Sequence, residues 1–173
     1  MAPYVTLQQV NALEHAVFVQ TLTPLFEGPP WIISAAWSRR PFTSLTHFHQ
    51  ELCAIMFAAS EAQQIALLRA HPDLVGRAAL AGTLSPSSTS EQASAGLDQL
   101  THEEIALFTQ LNQEYHQRFG FPFVICAREN KKESILAGFA TRLSHSREQE
   151  ILIALGEVAK ISRLRIQDLL LPE

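Results

Sequence analysis

Apolar residues return every three or four positions along most of this chain, the period of a helix that buries one face. Leu7, Val10, Val17 and Phe18, with Glu14 among them, predict a first amphipathic helix that closes near Thr23-Pro24. A connector rich in proline and aromatic residues follows, Phe26-Glu27-Gly28-Pro29-Pro30-Trp31, and then a short helix that ends before Pro41. Leu45, Phe48, Leu52, Ile55 and Met56 mark a core-facing stripe. Ile105, Phe108, Leu111, Asn112 and Tyr115 carry a long helix from Thr101 to about Phe119, where Gly120 offers a left-handed stop. Ile135, Leu136, Phe139 and Leu143 predict another helix. Ile151, Leu152, Leu155, Val158, Ile161 and Leu169 predict the last and longest. Ser60…Gln63, Ser88…Glu91, Thr101…Glu104 and Ser146…Gln149 all have capping-box spacing, in which two side chains satisfy orphan N–H groups reciprocally.

Only Phe121 to Ala127 reads as extended, and it is too short and solitary to found a sheet. There is no internal repeat. The one Ser/Pro-rich stretch, Gly82-Thr83-Leu84-Ser85-Pro86-Ser87, is too short for an interdomain linker. The expectation is an all-α fold: a single domain over residues 1–173, a compact bundle of about seven to nine helices, with one short extended segment near 121–127.

Composition narrows the function. An apolar fraction of 47% and a charged fraction of 17% describe a folded globular chain. A net charge of −4, with no basic run longer than a pair, argues against nucleic acid as a partner. Met1-Ala2-Pro3-Tyr4-Val5-Thr6 lacks the basic-then-apolar pattern of a signal peptide, and no window approaches the eighteen or so apolar residues of a membrane span. Leu171-Pro172-Glu173 is not a peroxisomal Ser-Lys-Leu address. Cys53 and Cys126 lie far apart in apolar surroundings and read as buried free thiols of a reducing compartment. A cytoplasmic protein is expected.

His71-Pro72-Asp73-Leu74 is the stretch richest in chemistry. Proline disfavours helical geometry in the residue before it and has no N–H, so the incoming helix should stop at His71. That leaves an imidazole, a group that titrates near neutrality, at the end of an element. The same pattern also fits a helix-ending histidine bonded to a nearby carbonyl. Glu91 has a similar double reading. Either it closes the Ser88 capping box, or it serves an anionic ligand site at a helix start beside Ser88 and Gln92, whose hydroxyl and amide suit ureas and imides. His47 and His49, two apart, point to different helix faces. With no His-x-x-x-His or Cys-x-x-Cys pair, no metal site is expected. His15, His102, His116 and His145 read as surface or cap positions. No Gly-x-Gly-x-x-Gly or phosphate-loop pattern asks for a nucleotide. Of Arg163 and Arg165, two apart on the last helix, at least one should meet the body of the protein, either as an inward arginine paired with a carboxylate, the protein's own or a ligand's, or as a surface arginine with a packed stem.

Taken in order, several blocks resemble the decarboxylase family that acts on 2-oxo-4-hydroxy-4-carboxy-5-ureidoimidazoline (OHCU) in urate degradation. They are Phe26 to Trp31, Arg40-Pro41-Phe42, His71 to Leu74, Ser90-Glu91-Gln92 through Ala95-Gly96-Leu97, Leu111-Asn112 with Tyr115, Phe119 to Cys126, Arg142-Leu143, and Glu157-Val158 with Lys160-Ile161 and Arg165. The resemblance implies an all-helical, cofactor-free homodimer that makes (S)-allantoin and CO2 from a small-molecule substrate. It implies His71 as the catalytic histidine and Glu91 as its acidic partner, with Ser88, Gln92 and Arg165 as substrate contacts. Pro72 and the Phe123-Val124-Ile125 backbone would form pocket wall, with Ile125 taken as the substrate contact, although the sequence does not decide which of the three faces the pocket. The chain departs from the family at Val75, where glycine is common, and at Pro30 in the connector. Two other readings compete with this one. The first is a hydrolase of a ureido or cyclic amide bond with His71 as base. The second is a non-enzymatic helical interaction module docking through Phe121 to Ile125, which would tolerate changes at His71 and Glu91.

Overall fold

The computed structural model describes residues 4–171. The expectations of no signal peptide and no peroxisomal address therefore fall partly outside the described residues, at 1–3 and 172–173. The architecture is all-α. Among the described residues, nine helices of six residues or more and one four-residue turn of helix are joined by short loops and three 3-10 turns. Among the described residues no strand forms, and one isolated parallel bridge joins Val5 to Leu170. No single helix among the described residues is long and apolar enough to cross a membrane. The chain divides into two compact units, Met1–Gln64 with Ala159–Glu173, and Ile65–Val158.

In the first unit the predicted opening helix is two helices, α1 (Leu7–Ala12) and α2 (His15–Leu22). Leu13 and Glu14 between them are extended, with ψ of 140° and 152°. The cause lies in the carbonyls at the end of α1. Arg40 donates from Nη1 to both Asn11 O and Leu13 O at 2.8 Å, and Trp37 Nε1 donates to Leu13 O at 3.1 Å. Asn11 in turn pairs through its amide with both the N–H and the C=O of Phe42 at 2.8 Å. These partners take over the backbone groups that a continuous helix would have bonded internally. Leu7, Val10 and Phe18 are buried as the periodicity predicts, but Val17 is 48% exposed. The connector leads into α3 (Trp31–Ala36), and α4 (Leu45–Ala58) buries Phe48, Leu52, Ile55 and Met56. Phe18, Phe42 and Phe48 pack their rings together in this core.

The second unit begins at Ile65 within α5 (Glu61–Arg69) and continues with the four-residue α6 (Arg77–Leu80) and α7 (Pro86–Ser94). Its frame is α8 (His102–Phe119), α9 (Lys132–Arg142) and the first half of α10 (Arg147–Leu169). α8 starts at a Thr101–Glu104 capping box and stops at Gly120 with φ 81°, as the sequence predicts. The Ser60–Gln63 and Ser146–Gln149 boxes also form, and so does one at Thr6–Gln9 that was not expected. Tyr115 is fully buried among Phe119, Phe121, Phe123 and Phe139. Its hydroxyl donates to Glu150, which also accepts from Arg142 Nε at 2.8 Å and pairs with His145 Nδ1 at 2.8 Å. Burial, helped by the Glu150 carboxylate, pushes the Tyr115 phenol well above its ordinary range, so it stays a donor. His145, expected at a surface or cap position, is thus a partner of a fully buried carboxylate.

The same network explains the extended segment. Arg142 Nη1 donates to Val124 O at 2.6 Å, and Glu157 accepts from Cys126 N at 2.9 Å. Side chains from α9 and α10 thus supply partners that a neighbouring strand would otherwise give. Arg142 also lies over the Phe123 ring, 4.2 Å from its centroid. Removing one partner of a buried ion pair strands the other. Arg142→Met should therefore lower the unfolding free energy by about 3–5 kcal/mol, read from urea denaturation. A loss below about 1 kcal/mol would mean that the pair contributes no more than an exposed one.

Candidate active site

All the candidate residues except Arg165 lie in the second unit, on three segments distant in sequence. The first is the turn after α5, a helix that ends two residues before the predicted stop at His71. His71 is 9% exposed, and its Nδ1 lies 2.9 Å from Leu67 O. A carbonyl only accepts, so Nδ1 carries the proton, and Nε2 is the nitrogen that can exchange one. The histidine is therefore bonded to a helix-end carbonyl, and that bond is compatible with a chemical role because it fixes the tautomer.

The second segment is α7. The structure corrects the expected Ser88–Glu91 capping box. Ser85 is the N-cap, accepting from Ser88 N at 3.1 Å, with Pro86 at the first helical position. The helix begins earlier than expected because Ser85-Pro86 is the stronger start signal. Ser88, Glu91 and Gln92 then fall at i, i+3 and i+4 and share a helix face. Ser88 and Gln92 are buried, and Glu91 is half-buried.

Gln92 joins this helix to the His71 turn. Its Oε1 accepts from Val75 N at 3.1 Å, and its Nε2 donates to Asp73 O at 3.4 Å. The amide's second N–H and second lone pair remain as chemical capacity for a ligand. Val75 has φ 53°, a left-handed conformation that strains a β-branched residue. This accounts for glycine being common at that position in the family that the sequence resembles.

The third segment is Phe123 to Cys126. Phe123 stacks on Phe139 at 3.8 Å between ring centroids, and Val124 is buried. Ile125 is the half-buried member of the three, so it is the one available to wall a pocket. α7 packs against the 3-10 turn Ala127–Glu129 that follows, and Lys131 Nζ donates to Ser94 O at 2.5 Å. Burial raises the Cys126 thiol above its ordinary range, and the Glu129, Glu157 and Glu91 carboxylates raise it further. The Glu91 charge is thus felt at the end of the Phe123–Cys126 segment. Both cysteines are free, but only Cys126 is buried; Cys53, expected to be buried too, is half-buried. Among the described residues no three His, Cys, Asp or Glu side chains are grouped to hold a metal ion.

These segments share a unit and a hydrogen-bonded connection, and comparison with known proteins agrees with the resemblance. The model of the family described as OHCU decarboxylase matches residues 11–167. The chain belongs to this family. It is similar to the 2-oxo-4-hydroxy-4-carboxy-5-ureidoimidazoline decarboxylase of Amia calva, with 41% identity over 95% of this chain and 94% of that protein. The mouse (Mus musculus) protein of the same name is 41% identical over 94% and 91%. Among solved structures, the crystal structure of (S)-allantoin synthase aligns with a TM-score of 0.77 at 26% identity, over 96% of this chain and 54% of that one.

Arg165 belongs to the first unit, on the far half of α10. It is the inward-turned arginine, 6% exposed, while Arg163 is exposed. Its Nη2 meets Glu27 Oε1 at 3.1 Å and its Nη1 donates to Pro24 O at 3.2 Å, so the carboxylate it meets is the protein's own.

Two neighbours of the His71 turn are not apparent from sequence. His116, expected at a surface or cap position, bonds Asp73 Oδ1 through Nε2 at 2.7 Å. Asn112, counted within the apolar stripe of α8, is 5% exposed and donates from Nδ2 to Leu74 O at 2.8 Å. Its Oδ1 is buried with no hydrogen-bond partner among the described residues, an arrangement that costs about 1–3 kcal/mol. A polar residue inside an otherwise apolar stripe was the available signal. Cavities of about 850 and 400 Å³ flank the turn, and neither is lined by His71, Ser88 or Glu91.

The placement of Glu91 is testable without turnover. In a Cys53→Ser background, Glu91→Gln removes one of three charges that oppose thiolate formation. The Cys126 pKa, followed by thiolate ultraviolet absorbance, should fall relative to the Cys53→Ser parent, whereas the same change at Glu133 should leave it alone. An unmoved titration in Glu91→Gln would separate Glu91 from this segment.

Proposed function

We propose that this chain decarboxylates OHCU to (S)-allantoin and CO2, with His71 and Glu91 as the catalytic pair. The observation that carries the proposal is the Gln92 link, which ties the helix bearing Ser88 and Glu91 to the turn bearing His71. It occurs in a chain of the OHCU decarboxylase family.

The chemistry follows from the substrate. As the C–CO2 bond breaks, its electron pair moves into the ring beside the former carboxyl carbon. The adjoining C=N accepts the displaced pair on nitrogen, which takes a proton. The hydroxyl on the decarboxylated carbon then loses its proton to become the carbonyl of allantoin, and the neighbouring carbon is protonated on one face. The substrate supplies its own electron sink, so the reaction does not call for pyridoxal or thiamine chemistry. His71 handles the proton transfers through Nε2, its other nitrogen being fixed on Leu67 O. Glu91 favours the imidazolium and accepts from the substrate hydroxyl or ring N–H.

Ser88 and the remaining valences of Gln92 bind the ureido group, and Pro72 and Ile125 form the apolar wall. Arg165 is assigned from the resemblance as the contact for the anionic substrate, its guanidinium oriented by Glu27 and Pro24. The proposal also includes a homodimer in the cytoplasm, acting as one domain over residues 1–173. The family match across 11–167, which runs through both compact units, supports the last point.

The test is a coupled assay in which urate oxidase and hydroxyisourate hydrolase form the unstable substrate in situ, with circular dichroism following chiral allantoin. The protein should accelerate (S)-allantoin formation without releasing ammonia, and folded His71→Ala should lose at least about 100-fold in kcat, the scale of general acid–base catalysis. Arg165→Lys should raise KM, because the fork geometry is lost. Near-native turnover in His71→Ala, or ammonia release, would overturn the assignment.

A further inference from the structure

The turn that carries His71 borders an open cavity, while His71, Leu74 and Val75 within it are buried. The cavity of about 850 Å³ has Asp73, Val75 and Gly76 on one side and Asn112 and His116 of α8 on another. Where a cavity leaves one side of a turn unpacked, the hydrogen bonds to its backbone fix its position on that side. Gln92 supplies those to Asp73 and Val75 from α7, and Asn112 supplies the one to Leu74 O from α8. The third tie, between His116 and Asp73, joins side chains 41% and 35% exposed, where solvent screens it. The buried Asn112 bond is therefore the firmer attachment to α8.

Asn112 is also an unexpected residue for its place. It lies on the buried face of α8 with Phe108, Tyr115 and Phe119, and only its donor side is satisfied. An apolar residue of similar size would pack there without a stranded oxygen. What an apolar residue could not do is fix Leu74, three positions after His71, while Val75 beyond it is held in a left-handed conformation.

We infer that Asn112 is a positioning residue for the reaction: through Leu74 O it holds the His71 turn against α8, so that the imidazole meets the substrate in one orientation. The inference rests on the proposed role of His71 as the proton-transfer group. It predicts that the turnover step suffers more than binding when the tie is cut, because misplacing a proton-transfer group by a fraction of an ångström slows chemistry without removing the groups that bind.

The experiment compares the full-length protein with Asn112→Leu, which removes both the tie and the stranded oxygen at nearly constant volume. Expected are a thermal midpoint at or above that of the parent, a kcat reduced by at least about tenfold and a KM changed by less than about threefold. Hydrogen exchange at the Val75 amide should accelerate, since its bond to Gln92 depends on the turn staying in place. Asn112→Asp, which keeps the shape but replaces the donor with an acceptor, should show the same kcat loss if Asn112→Leu folds poorly. The inference is overturned if folded Asn112→Leu keeps its kcat, or if Val75 exchange is unchanged. The exchange measurement needs no substrate. A parent protein with no decarboxylase activity would therefore sink the functional reading, while the tie itself would be judged separately.

Discussion

Buried backbone N–H and C=O groups need partners wherever the chain leaves a helix, and this fold has no sheet among its described residues to supply them. Several irregular segments are instead bonded by side chains from outside them. Arg40 and Asn11 hold the break after α1 and the extended residues near Phe42. Arg142 and Glu157 hold the Phe123–Cys126 segment. Gln92 and Asn112 hold the turn after His71. The polar residues that look misplaced on apolar helices are the fasteners of the loops. Their positions decide where the segments between helices lie, and those segments carry His71 and Ile125.

Rigid presentation of loop residues has a stability cost, visible in two places. Val75 occupies a left-handed conformation that a β-branched side chain disfavours, and Asn112 keeps an unsatisfied oxygen in the core. Both surround the same turn. Sites that depart from local preference while the rest of the fold obeys it are where function is expected to impose its own geometry. The remainder of the second unit is correspondingly well satisfied, with Tyr115, Arg142, His145 and Glu150 linked into one buried network.

The helices are legible from period alone where one face is apolar and the start is capped. α4, α8 and α9 lie close to where Leu45–Met56, Thr101–Phe119 and Ile135–Leu143 put them. The opening helix differs from its expected form because the signal that breaks it comes from Arg40 and Trp37, some 24 to 29 residues away. The start of α7 differs because two serine signals compete three residues apart, and the one followed by proline wins. At the site, His71 announces itself through Pro72, while Gln92 looks only like a substrate ligand and proves also to be a connector. The roles of Asn112 and the His116–Asp73 pair are invisible for a simpler reason: sequence spacing does not report which loop a helix face meets.

The environment of Cys126 bears on durability. The thiolate is the nucleophilic form of a cysteine, and burial together with three carboxylates disfavours it at Cys126. The residue therefore gives the end of the Ile125 segment a small, polarisable filler whose reactive thiolate form is disfavoured. A sulfenic acid there would add a polar oxygen where the residue is 1% exposed, pressing on the backbone that Glu157 holds. Burial first, and the acidic surroundings after it, thus disfavour the reactive form of a thiol that sits at the end of this segment.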